Sequence, residues 1–183
     1  LRALSQKVRD FGSTARSVDR IRDTDSQRQL LTDRVESMVA ELASALKDAR
    51  KLSAVEAGEL FNRHQDAMIR AAKAHGELLQ WEAFTDGVDA VEDAGTKQVL
   101  TWLRDLFGLG LIEADAGWFL ANGKLSGARA RAITEYIDTR LLPRIRKHAI
   151  DLVDAFELTP ELIGAPIALG AEKARQDEAA AYY

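Results

Sequence analysis

The chain has 183 residues, 25 Lys and Arg against 29 Asp and Glu, a formal net charge of -4 and no cysteine. That length buries a sizeable core without a disulfide or metal staple, and the missing thiols exclude disulfide frameworks, thiolate zinc sites and cysteine nucleophiles. The pI near 5.5 and interleaved charges argue against a nucleic-acid binder, and no apolar run is long enough to predict a membrane span.

The first residue is Leu1 rather than Met, and no signal-peptide pattern follows. Leu1 to Val8 reads as a short helix ended near Gly12. Such a start is expected of a piece cut from a larger protein. Asp23 to Ser26 supplies cap-type residues for a strong helix. Leu31, Val35, Met38, Leu42, Leu46 and Ala49 step along one face of it, with Asp33, Arg34, Glu41 and Asp48 elsewhere.

Ser53 and Glu56 form an S-x-x-E capping box. The helix they open carries Ala57, Phe61, His64, Met68, Ala71, His75 and Leu79 inward, to about Phe84. An Asp- and Gly-rich turn is expected from Thr85 to Gly95. From about Thr96, Val99, Leu100, Leu103, Leu106, Phe107, Gly110 and Leu111 make a helix apolar on most sides, broken only by Arg104 and Asp105. Gly108-Leu109-Gly110 lies inside it without a preceding strand, so close helix packing accounts for it better than a phosphate loop. Asp115-Ala116-Gly117 and Asn122-Gly123-Lys124 read as turns.

Ser126 caps the next helix, with Ile133, Tyr136, Ile137, Leu141, Ile145, Ala149, Leu152 and Phe156 inward and a kink or restart at Pro143. The basic run from Arg140 to Lys147 reads as a solvated face, or as an anion contact. Thr159-Pro160 is an N-cap followed by proline at the first helical position. Ala171 to Ala180 is a polar, loosely held helix. Four long amphipathic helices with short turns predict an all-α fold, a four-helix up-down-up-down bundle with additional short helices, as a single domain over residues 1–183.

Candidate chemistry is sparse. His64 and His75 are eleven residues apart on one helix, about 16 Å at 1.5 Å per residue, too far to share a metal. There is no Glu-x-x-His, His-Glu-x-x-His, G-x-S-x-G or P-loop. His64 and His75 read as core or interface residues, and His148 as a surface one. Trp81, Trp102 and Trp118 read as packing residues, with Trp118 after a turn and open to a partner. Asp154 fits a helix-end hydrogen bond, a contact to another domain or a buried acid–base group. The candidate contacts to another domain are therefore His75, Trp118 and Asp154, with no catalytic residue and no metal ligand.

Two stretches carry a resemblance. One runs from Ala71 through Ala74-His75-Gly76 to Phe84. The other is Asp115-Ala116-Gly117-Trp118-Phe119-Leu120, followed by Asp151-Leu152-Val153-Asp154-Ala155-Phe156 and a Leu-Ile-Gly turn ending at Gly164. Together, from about Leu30 to Gly164, they resemble the C-terminal helical domain of acyl-CoA oxidases, in the acyl-CoA dehydrogenase superfamily.

The resemblance implies a parent enzyme that uses FAD to convert acyl-CoA to trans-2-enoyl-CoA in fatty-acid β-oxidation, with a glutamate taking the α-proton. That glutamate lies in a Tyr-Glu-Gly-like motif before the helical domain, and no Tyr-Glu-Gly occurs here. The segment is thus expected to support the fold and a homodimer, with upstream domains of the same polypeptide as partners and acyl-CoA as the parent's substrate. The free-standing alternative is a helical interaction module. Eukaryotic members continue Ala-His with Cys-His-Tyr, where Gly76-Glu77-Leu78 stands here, and the chain ends in Ala181-Tyr182-Tyr183 rather than a peroxisomal tripeptide. With the Ala-, Arg- and Asp-heavy composition, this suggests a bacterial, cytoplasmic member.

Overall fold

Asp23 opens the first helix of the computed structural model, which describes residues 22–165, 167 and 169–182. Its carboxylate accepts from the Ser26 amide at 3.1 Å, and α1 runs over Thr24–Leu46. After a 3₁₀ turn at Ala49–Lys51, Ser53 and Glu56 form the expected reciprocal capping box of α2, Ala54–Arg63. His64 then interrupts the helix, and α3 continues as Gln65–Asp89. Asp93 caps α4, Ala94–Ala114. A short α5, Ala116–Ala121, follows Asp115. Ser126 caps α6, Gly127–Tyr136. The expected helix at Leu1 to Val8 lies outside the described residues.

The break expected at Pro143 takes the form of a π turn over Ile137–Leu141, in which the Leu142 amide donates to the Ile137 carbonyl five residues back. Helix α7, Leu142–Ile145, restarts immediately afterwards. Proline has no N–H to give, and its ring clashes with the carbonyl four residues earlier, here Thr139. Widening the turn before it removes that clash.

The chain divides into two units, Leu1–Ile145 and Arg146–Tyr183. In the first, α1 packs on α3, α3 on α4, and α4 on α6, the π turn and α7. The pairs Arg28–Glu82 and Arg34–Glu77 run in opposite directions along α1 and α3, so those helices are antiparallel. Leu31, Leu78, Trp81, Val88, Leu109, Ile112, Phe119, Ile133 and Leu141 form the apolar core. The second unit holds a 3₁₀ turn at Arg146–His148, α8 at Ala149–Asp154, α9 at Pro160–Ile163 and α10 at Glu172–Ala181. Thr159 caps α9 as expected, and Gly164 ends it at φ 61°. All regular structure among the described residues is helical.

Several expectations need correction. Helix α3 extends five residues beyond Phe84, to Asp89. Its inward stripe is Ala71, Ala74, Leu78, Trp81, Thr85 and Val88, not the line through His75 and Leu79. Both lines lie within α3, and the face that packs on α1 and α4 is the one through Ala74 and Leu78. Thr85, expected in a turn, is buried, and its hydroxyl donates back to the Trp81 carbonyl at 2.9 Å. Asp115 ends α4 as expected, while Ala116 and Gly117, expected in the same turn, start α5. Phe156, expected inward, is 73% exposed.

Candidate functional site

The interior where α1, α3 and α4 meet is polar as well as apolar. Gln27 on α1 accepts from the Trp81 indole N–H at 3.1 Å, and its amide donates to the Arg22 carbonyl at 3.2 Å. The same amide faces Asp105 Oδ1 at 3.5 Å. Asp105 accepts from Arg104 at 2.8 Å, and Arg22 Nε stands 3.9 Å from its second oxygen. Gln27, Arg104 and Asp105 are all buried. Gly108 makes the close approach possible, because a Cβ there would collide with Gln27 Oε1 and lie 2.6 Å from Trp81 Nε1. The close-packing reading therefore holds for Gly108, whereas Gly110 faces open space.

Two helical turns along α1, Arg34 forms a second buried centre. Its guanidinium donates to Asp115 at 2.6 Å and to Glu77 at 2.7 Å. The sequence places Arg34 off the inward face, yet its side chain is 1% exposed. Two carboxylates on two other elements supply the partners that make burial of the charge tolerable. Arg104 and Asp105 likewise look like interruptions of an apolar helix but pair with each other inside. Nothing in hydrophobic periodicity signals these charges, since a buried ion pair reads as two polar residues. The adjacent glycine at 108 is the one visible clue.

Around this core, Arg22 lies 5.0 Å from the Tyr136 ring centroid, Arg28 5.6 Å from that of Trp81 and Arg144 5.7 Å from that of Trp102. Burial pushes the Tyr136 phenol above its ordinary value, against the pull of the Arg22 and Arg144 charges. Arg144 is thus part of the packing, while Arg140, Arg146 and Lys147 are exposed, as a solvated run should be. At the surface, Lys124 ties the turn after α5 to Asp33 at 2.8 Å and holds that carboxyl below its usual range.

A surface groove opens between α1, α3 and α5, bordered by Met38, Leu42, Ala45, His64, Ala67 and Trp118, with Glu41 and Arg70 at its polar edge. Trp118 is half-buried and meets Phe119 edge to face, with centroids 5.2 Å apart. His75 is exposed on α3, not inward. Asp154 is exposed at the end of α8. His75 and Trp118 thus stand on different helices, α3 and α5, and Asp154 belongs to the other unit. Among the described residues, no three His, Cys, Asp or Glu are grouped to hold a metal, and no helix is long and apolar enough to cross a membrane.

In this helical segment the buried charges of Arg34, Arg104 and Asp105 are paired. The acyl-CoA oxidase family model matches residues 23–170, and the chain belongs to that family. It is 36% identical over 121 residues to peroxisomal acyl-coenzyme A oxidase 2 of Oryctolagus cuniculus, covering 65% of this chain and 18% of that protein. Acyl-coenzyme A oxidase 2 of Yarrowia lipolytica is 31% identical over 136 residues, covering 74% and 18%. The peroxisomal acyl-coenzyme A oxidase 2 of Arabidopsis thaliana is 29% identical over 155 residues, covering 82% and 21%. The chain thus spans about a fifth of the length of these relatives.

Those names overturn one expectation. Relatives from rabbit, mouse, rat and Arabidopsis are named peroxisomal, against the bacterial cytoplasmic setting read from composition and the final residues. Composition reflects helix propensity and packing, so it is a poor guide to compartment.

Proposed function

We propose that this chain is the C-terminal helical segment of an FAD-dependent acyl-CoA oxidase that forms trans-2-enoyl-CoA in fatty-acid β-oxidation. The observation that carries it is the family match over residues 23–170 in a chain about a fifth as long as its relatives. In this reading the flavin-binding and catalytic domains lie upstream. The four long segments form an up-down-up-down bundle that supports the subunit and a homodimer, with His75, Trp118 and Asp154 as contacts to other domains. The compartment in the relatives' names, the peroxisome, goes with this assignment.

A dinucleotide's phosphates seek free amides at a helix N-terminus. Asp23, Ser53, Asp93, Ser126 and Thr159 each take up one such amide with their own side chains, whereas α3, α5, α8 and α10 carry no side-chain cap. FAD would supply the acceptor for the β-hydrogen in the parent. The α-proton is only weakly acidic and needs a positioned carboxylate beside a polarised thioester. The buried carboxylate here, Asp105, is held by arginine and has no open approach. What this chain contributes is a rigid, ion-paired support.

The test compares the full-length gene product with the 183-residue chain. Full-length protein should show flavin absorption and release hydrogen peroxide when given an acyl-CoA, and the short chain should do neither. Turnover by the short chain alone, or a colourless and inactive parent, overturns the assignment.

A further inference from the structure

Helix α3 has two seams. Ala71, Ala74, Leu78, Trp81, Thr85 and Val88 recur at steps of three and four and are buried on the side that packs on α1 and α4. On the far side Gln65, Ile69, Ala72, Gly76, Leu79 and Ala83 recur at steps of four and three, without a charge among them. That alternation is the spacing of a coiled-coil seam. Gly76 is half-buried and the others are exposed, Ile69 by 61% and Leu79 by 51%. A Cβ added at Gly76 would meet nothing within 4 Å. The line continues into α2 through Asn62 and Gly58, and Gly58 likewise faces open space. Helix α2 buries none of its own residues.

The residues beside this outer seam are self-complementary. Glu59, Asp66, Lys73 and Gln80 recur every seven residues along one edge, where side chains of paired helices meet and set orientation. Asp66 holds Arg70 at 3.2 Å and Lys73 approaches Glu77 at 3.7 Å, which leaves both side chains mostly exposed. In an antiparallel twofold pair the edge meets itself reversed. Centred between Arg70 and Ala71, such a pair sets Asp66 against Lys73 of the second copy, twice by symmetry, and Glu59 against its Gln80. Sliding the pair by one heptad opposes Asp66 to Asp66 or Lys73 to Lys73, and like charges juxtaposed across an interface are unfavourable. A parallel pair sets Asp66 against Phe61 and Lys73 against Met68, with no charge matched. The charge-matched register also fits by shape: Ile69 lies over Ala72 of the second copy and Gln65 over its Gly76, while Leu79 and Ala83 reach its Asn62 and Gly58. We infer that two copies of this chain pair antiparallel along the outer seam of α2 and α3. The pairing rests on the homodimer of the proposed function and supplies its surface.

The test coexpresses two full-length variants under different tags, Ile69→Cys and Ala72→Cys. Each chain carries one of the two thiols, so a disulfide between positions 69 and 72 joins two copies. Oxidation in glutathione buffer, read by peptide mass spectrometry, should give that link. Leu79→Cys in place of Ala72→Cys, on the same seam but out of register, should give roughly tenfold less, because a disulfide tolerates little separation. Asp66→Lys or Lys73→Glu, placed in both chains, should lower the yield of the 69–72 link roughly fivefold, and the two together should restore it. That rescue cannot arise within one chain, where positions 66 and 73 lie about 10 Å apart along the helix. Gln65→Cys with Gly76→Cys repeats the measurement if Ile69→Cys does not fold. A link no more abundant than the out-of-register control, or a double charge variant no better than the single ones, overturns the pairing. So does slow maleimide labelling at positions 69 and 72 without the link, which gives the seam to another segment of the same polypeptide. Any of these results, in protein that keeps its flavin absorption and peroxide release, leaves the enzymatic assignment standing. Loss of those two signals from unsubstituted full-length protein would sink the assignment instead.

Discussion

Trp81 lies against Gly108 with no room for a methyl group: a Cβ at 108 would stand 2.6 Å from the indole nitrogen and collide with Gln27 Oε1 as well. The indole N–H is already committed to that same Gln27 oxygen. Three helices therefore meet at one glycine.

Replacing it separates two opposing effects. Alanine in a helix interior gains about 1 kcal/mol over glycine. Overpacking a core costs about 1–3 kcal/mol, and displacing Gln27 removes a buried hydrogen bond worth about 1 kcal/mol. Gly108→Ala should therefore destabilise the chain by roughly 1–3 kcal/mol in urea unfolding. Gly110→Ala, with nothing within 4 Å of its new Cβ, should be neutral or stabilising by up to about 1 kcal/mol. Equal effects at the two positions would contradict the close approach at 108.

Arg34 serves two carboxylates at once, and its partners differ in exposure, 17% for the Glu77 side chain and 44% for that of Asp115. Breaking a buried ion pair from one side costs about 3–5 kcal/mol. Solvent access to these carboxylates lowers that, so Arg34→Met should cost about 2–3 kcal/mol. Arg34→Lys should recover little of the loss, because a point charge cannot span both acceptors. Glu77→Ala should cost more than Asp115→Ala. Guanidinium or thermal unfolding of the four variants checks the order.

The helical phase of α3 is testable at neighbouring residues. Leu78 is 8% exposed and Leu79 is 51% exposed. Leu78→Ala should cost about 2–4 kcal/mol, as buried leucines do. Leu79→Ala and His75→Ala should stay within about 0.5 kcal/mol in the isolated chain. The reverse result would restore the stripe through His75 that sequence spacing suggests.

Two groups set opposite pH limits. The Lys124 hydrogen bond holds Asp33 below the ordinary 3.8, against the opposing effect of burial. A depressed carboxylate stabilises the fold above its unfolded value and loses that contribution as pH falls through the folded one. Lys124→Met should thus be less stable than the parent chain at neutral pH, and the gap should close below about pH 4. Burial raises the Tyr136 phenol above the ordinary 10.0. A raised acid gives its full contribution below the unfolded value and loses it as pH rises through the folded one. The stability difference between the parent chain and Tyr136→Phe should therefore change only above about pH 10. Paired urea titrations across both limbs measure each effect.

The helical class, the caps at Asp23, Ser53, Ser126 and Thr159 and the inward line from Ile133 to Ile145 were all legible from the chain. Each is a local matter: a cap needs only its own first turn, and a 3.6-residue period repeats over any window. The family was legible too, from the Ala71 to Phe84, Asp115 to Leu120 and Asp151 to Phe156 stretches together. Tertiary contact alone decided the rest. The packing of α3 on α1 and α4 buried the face through Ala74 and Leu78 and left His75 to solvent. Arg34, Arg104 and Asp105 became core residues because their countercharges arrive from elsewhere in space or stand beside them inside. A charge's burial depends on what faces it after folding, and that partner can lie eighty residues away, as Asp115 does from Arg34.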